Sequence, residues 1–128
     1  MAGYFSLDSL VRNPPDSGNG YTLPGLTSPT ASSPGTAQFG INLVANTSPA
    51  TFGADPVQQP DPTFSFGQVA TGYDTPNQFK YVKGDTIALS TKSTSITVYT
   101  VSYLYNISDV TPAGKYTFIQ NLVAIGNY

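Results

Sequence analysis

Asp55 and Asp61, close together in ATFGADPVQQPDP, form the carboxylate pair nearest to the acid and its partner that cleave a glycosidic bond. Each stands directly before Pro, where Asp is ordinary turn chemistry. The chain has no His, Cys or Glu, so the base beside a nucleophile and most acid–base partners are missing. The same lack disfavours zinc. Calcium-loop spacing of the Asp-x-Asp-x-Asp-Gly kind does not occur, which leaves Asp55, Asp61 or Asp74 with backbone carbonyls as a weak calcium candidate. The expectation is a protein that is not an enzyme and carries no cofactor.

Two further features carry chemistry of a different kind. Asn46-Thr47-Ser48 and Asn106-Ile107-Ser108 match the N-glycosylation pattern, a short pattern that arises often by chance in a chain rich in Asn, Ser and Thr. The Ser/Thr-rich stretch upstream is an alternative O-glycan carrier. Tyr99, Tyr103 and Tyr105 share one face of a strand. Such a stripe stacks on sugar rings or, more commonly, forms an intersheet layer or subunit interface with phenol oxygens reaching the wet edge.

These tyrosines sit in SITVYTVSYLYN, which the turn segment ISDVTPAG joins to KYTFIQNLVAIG. Both runs are dense in β-branched and aromatic residues, which favour a pleated surface over a helix. In the first, Ile96, Val98 and Leu104 alternate with Tyr99, Val101, Tyr103 and Tyr105. In the second, Tyr116, Phe118, Leu122 and Ala124 alternate with Ile119, Val123 and Ile125. Apolar residues on both faces predict a central hairpin covered on both sides. Tyr99, Tyr103, Tyr105, Ile119, Val123 and Ile125 are the expected subunit interface.

The chain before this hairpin is more broken. Residues 3 to 11 place Phe5, Leu7 and Val11 on one side of an extended segment. It reads either as an ordinary first strand or as a strand given to another copy, since strand addition needs alternating anchors and a connecting linker. Residues 13–36, NPPDSGNGYTLPGLTSPTASSPGT, read as a linker or a long ordered surface loop. From Ala37 the β pattern is steady. Phe39, Ile41, Leu43 and Ala45 face inward, with Gln38, Gly40, Asn42 and Asn46 outward; residues 50–62 are too rich in Pro for a central strand and suit a binding loop. Short strands follow around Phe64 and Phe66, Phe79 and Tyr81, and Ile87 and Leu89. The sum is an all-β chain, an Ig-like antiparallel sandwich of about seven strands over 37–128, with an N-terminal extension over 1–12 and a linker between.

Charge is scarce, 9% of residues against about 25% in an average protein, while 12% are aromatic, which separates the chain from disordered sequences. A net charge of −2 with five scattered basic residues argues against nucleic acid. No apolar run approaches a membrane span. The opening MAGYFSLDSL lacks the basic head and apolar stretch of a signal peptide. Abundant Ser, Thr and Tyr without cysteine fit an extracellular bacterial β-protein.

The segments QFGINLVANTSP, GYDTPNQFKYVKGDTIA and TVSYLYNISDVTPAGKYT, with the closing apolar strand, resemble the C-terminal portion of secreted surface proteins of ultrasmall candidate-phyla bacteria of the Saccharibacteria type. The turn Pro-Ala-Gly-x-Tyr-Thr before a final strand is more loosely similar to the ends of WxL-type and spore-coat-U-type domains. The resemblance implies a cell-surface β-sandwich and transfers no catalytic residue. The leading expectation is a structural subunit of a surface fibre or pilus, self-associating by strand addition. The alternative is a carbohydrate-binding or adhesive module that uses exposed tyrosines and the loops from Thr47 to Thr63.

Overall fold

A computed structural model describes residues 2–7, 11–13, 23–59, 63, 66–117 and 120–126. No α-helix occurs among the described residues, and the strands are short and paired antiparallel. They are β1 (Ala2–Leu7), β2 (Val11–Asn13), β3 (Gln38–Asn42), β4 (Val57–Gln59), β5 (Gly67–Val69), β6 (Thr86–Ser90), β7 (Ile96–Val98), β8 (Ser102–Asn106), β9 (Lys115–Thr117) and β10 (Gln120–Ile125). One four-stranded sheet runs β10-β1-β6-β5; the other pairs are β2-β9, β3-β8 and β4-β7.

The core gathers on β3 and its neighbours. Phe39, Ile41 and Leu43 point inward as their alternation predicts, and they meet Leu23, Tyr73 and Ile87. The Phe39 and Tyr81 rings pack with centroids 4.7 Å apart, and Phe52 stacks on Phe79 at 6.0 Å.

The face of β3 expected to meet solvent is buried as well. Every residue of β3 is buried, including Gln38, Gly40 and Asn42. The cover comes from two sides: β8 pairs along one edge of β3, while Lys80 and Gly25 bridge to Ile41 and Phe39 along the other. Gly40 is required there, because a Cβ at that position would lie 2.8 Å from the Cβ of Phe79. Gln38 is satisfied by Ser33 N–H, which donates to its Oε1 at 2.8 Å.

Much of the stretch read as a linker is woven into this core. Leu26 N–H donates to the Phe39 carbonyl at 2.8 Å, Tyr81 N–H donates to the Leu26 carbonyl at 2.6 Å, and Thr30 exchanges both backbone bonds with Phe79. Residues 23–36 therefore follow the ordered-loop alternative, with Leu23 as a buried anchor. Poverty in apolar residues hid this, since one buried Leu and a few backbone bonds suffice where a strand edge is on offer.

The expected terminal hairpin does not form as a pair among the described residues. β8 pairs with β3, β9 with β2, and β10 with β1. The first run is also two strands: residues 99–101 leave the strand conformation, and β7 joins β4 instead. Across this break the face inverts. Leu104 is buried on β8, yet Ile96 and Val98 are exposed on β7, whose inward Thr97 donates its hydroxyl to Gln58 Oε1 at 2.7 Å. The expectation of apolar cover on both sides fails for the described ends of these runs, because Tyr105, Val123 and Ile125 are exposed.

The N-terminal segment is held within the chain. β1 pairs with β10 from Ala2↔Ile125 to Leu7↔Gln120, and on its other edge with β6 at Gly3↔Ala88 and Tyr4↔Thr86. The extension expected over 1–12 and the sandwich expected from 37 thus share one sheet. Within the single chain β1 is a strand of its own sheet and β2 pairs with β9, while residues 8–10 lie outside the described residues.

Candidate functional site

β8 presents the chemistry that the tyrosine stripe foreshadows. Its alternation buries Ser102 and Leu104 and turns Tyr103 and Tyr105 outward, 38% and 70% exposed. The chain then turns at Ser108–Thr111, where Ser108 N–H donates to Thr111 Oγ1 at 2.8 Å and Thr111 N–H donates to the Ser108 carbonyl at 2.9 Å. That turn brings Pro112 and Tyr116 opposite the β8 tyrosines, enclosing an open groove of about 640 Å³. Leu23 and Phe39, both buried, reach its base, and Ile107 lies beside Tyr105.

Two of the three groove tyrosines are tethered by their hydroxyls. Tyr103 Oη–H donates to Gln120 Oε1, and Tyr116 Oη–H donates to the Pro112 carbonyl at 2.6 Å. Burial pushes the Tyr103 phenol above its usual pKa. No described residue lining the groove is charged at neutral pH. The arrangement offers aromatic faces and hydroxyls but neither a general base nor a set of metal ligands. Among the described residues no group of three or more His, Cys, Asp or Glu stands together.

Tyr99, expected on the same stripe, is elsewhere. The break at 99–101 lays it against the core with Val101, and its hydroxyl reaches the Gln68 carbonyl at 3.4 Å. Burial raises its pKa, with a lesser opposing effect from Thr97. Of the other expected interface residues, Val123 and Ile125 are exposed on β10, and Ile119 lies outside the described residues. Phe5, Leu7 and Val11 are placed by backbone register alone, on β1 and β2.

The glycosylation candidates have other work. Asn46 is 1% exposed, with its amide exchanging hydrogen bonds with Asn42 at 2.6 and 2.9 Å. A buried, doubly engaged amide has no room for a glycan, so the Asn46 expectation is corrected. Asn106 is half-buried and its amide is lodged between Ser32 Oγ at 3.0 Å and Gln38 Oε1 at 2.9 Å.

The loops expected to bind ligands are pinned structurally over their described part. Asn77, in a left-handed conformation at φ 63°, accepts from the backbone N–H groups of Thr47 and Ser48 at 2.8 Å each. Asp55 accepts from Ala45 N–H at 3.0 Å, and Asp74 caps its own turn by accepting from Gly72 N–H at 3.1 Å. Asp61 lies outside the described residues.

Sequence reasoning missed Tyr116, Thr111 and Pro112 as partners of the β8 tyrosines, because they were assigned to a hairpin strand and its turn. It also missed the cluster of Tyr73, Lys80 and Asp85. Tyr73 Oη–H donates to Asp85 Oδ2 at 2.9 Å, Lys80 Nζ lies 2.6 Å from the same oxygen, and Lys80 stands over the Tyr73 ring. These residues fall in GYDTPNQFKYVKGD, whose turn signals hide that its two ends meet.

Over its described residues the structure is thus all-β, with a tyrosine-walled groove whose described lining is uncharged. No protein-family model, curated protein or solved structure matches the chain.

Proposed function

We propose that the chain is a structural subunit of an extracellular bacterial surface fibre or pilus, whose copies join by β-strand addition on an Ig-like sandwich scaffold. The observation that carries this reading is the position of β1, the inner strand between β10 and β6. A strand in that position leaves a one-strand slot when it departs. The identical segment of another copy can refill the slot with the same backbone bonds, which is the thermodynamic basis of domain swapping and donor-strand exchange. The bonds open to exchange are those of β1 with β10, Ala2↔Ile125 to Leu7↔Gln120, and those of β2 with β9, Val11↔Thr117 to Asn13↔Lys115.

Two other features agree with an assembled state. Val123 and Ile125 leave the end of β10 apolar and exposed, a surface that a neighbouring copy would cover. With few charged residues, little repulsion opposes close packing of copies. A place among secreted surface proteins of the Saccharibacteria type belongs to the same proposal.

Light scattering of the chain, refolded across a concentration series, tests it. Oligomers are expected to grow with refolding concentration. A variant lacking residues 1–13 is expected to stay monomeric and to capture a peptide of those residues added in trans. A full chain that remains monomeric after refolding at every concentration overturns the proposal.

A further inference from the structure

The groove between β8 and the 107–116 segment has a selective chemistry of its own. Its walls are the rings of Tyr103, Tyr105 and Tyr116, and its base is apolar, formed by Leu23 and Phe39. Its described lining carries no charge, so desolvating it favours a neutral ligand over an ionic one. Its volume of about 640 Å³ falls within the usual range of small-molecule sites.

We infer that this groove binds neutral pyranose units of a glycan. A pyranose offers apolar C–H faces that lie on aromatic rings, and a rim of hydroxyls that donate as well as accept hydrogen bonds. Both properties match what the groove presents. The rings of Tyr103 and Tyr116 are held by hydroxyl contacts to Gln120 and Pro112, so stacking on them freezes few rotamers. Tyr105, 70% exposed, stands ready to cover a bound ring.

The rival occupant of a tyrosine-lined groove is a proline-rich segment in a polyproline II conformation. Such a segment presents chiefly carbonyl acceptors and depends on donors from the groove. Here the phenol protons of Tyr103 and Tyr116 are already given to Gln120 and to the Pro112 carbonyl. A ligand bringing its own donors is served better, which favours the sugar.

Isothermal titration of the full chain with maltohexaose, cellohexaose, chitohexaose and laminarihexaose, with decaproline alongside, tests the inference. Saturable binding to at least one neutral oligosaccharide is expected. Tyr105→Ala should weaken it roughly tenfold, the loss of one aromatic stacking contact, while Tyr105→Phe retains it. Circular dichroism of each variant checks that the fold persists, which an exposed position allows. No binding to any of the four sugars, binding indifferent to Tyr105→Ala, or binding of decaproline in their place overturns it. Each of these results leaves the strand-exchange reading untouched, because that reading is judged by oligomer size.

Discussion

Tyr4 is paired with Val123 on one edge of β1 and with Thr86 on the other, so the first strand joins the last strand to the middle of the chain. Among the described residues β10 is an edge strand, with β1 as its hydrogen-bonded neighbour in the sheet. Its stability is thus borrowed from a segment far away in sequence.

Tyr4→Pro removes a ladder donor from an inner strand, where proline is not tolerated. Hydrogen exchange should then show faster exchange over Gln120–Ile125 while the β5–β6 pair stays protected. Unchanged protection in β10 would show that something other than β1 holds it.

The Asn42–Asn46 amide pair is buried at 0% and 1% exposure, and Asn46 Oδ1 also accepts from Asn77 N–H at 2.8 Å. Asn46→Ala strands several buried groups at about 1–3 kcal/mol each, so a loss of about 3 kcal/mol in urea unfolding is expected. Asn106→Ala, at a half-buried site, should cost about 1 kcal/mol. In a double-mutant cycle, Asn42→Ala and Asn46→Ala should cost together clearly less than the sum of the two.

Ser102 Oγ is buried and has no hydrogen-bond partner among the described residues. Ser102→Ala removes a desolvated hydroxyl that gains nothing from the fold, so chemical denaturation should find stability unchanged or raised by about 1 kcal/mol. Gly53 faces that hydroxyl with φ at 78°, and a Cβ there would collide with Ser102 Oγ and approach the Val44 carbonyl at 2.9 Å. Gly53→Ala should therefore destabilise by more than about 1 kcal/mol.

Tyr73 has its phenol pKa raised far above the ordinary value, first by burial and then by its hydrogen bond to Asp85. The folded state holds this proton more tightly than the unfolded chain. The contribution to stability is full below about pH 10, the unfolded value, and is lost as pH rises from there toward the folded pKa. Thermal melts should fall in this alkaline range, and Tyr73→Phe, which has no such proton, should flatten part of the fall. Raised pKa values at Tyr99 and Tyr103 act in the same direction, so some slope should remain.

Residue types alone determined that the described part is of the all-β class, that Phe39, Ile41, Leu43, Phe79, Tyr81 and Ile87 turn inward, and that Tyr103 and Tyr105 share a face opposite Leu104. A period of two is local, and each residue carries it. The same pattern says nothing about which strand lies alongside, and only the tertiary structure decided that β8 joins β3 and that β10 joins β1. Nor does it say where a run breaks: Ile96 and Leu104 have the same parity, yet three residues out of strand conformation send one to solvent and the other to the core. The groove belongs to this second kind of information. Tyr105 and Tyr116 come to line one groove through a local turn and a pairing with the N-terminal segment, and that pairing is a long-range contact that no local spacing records.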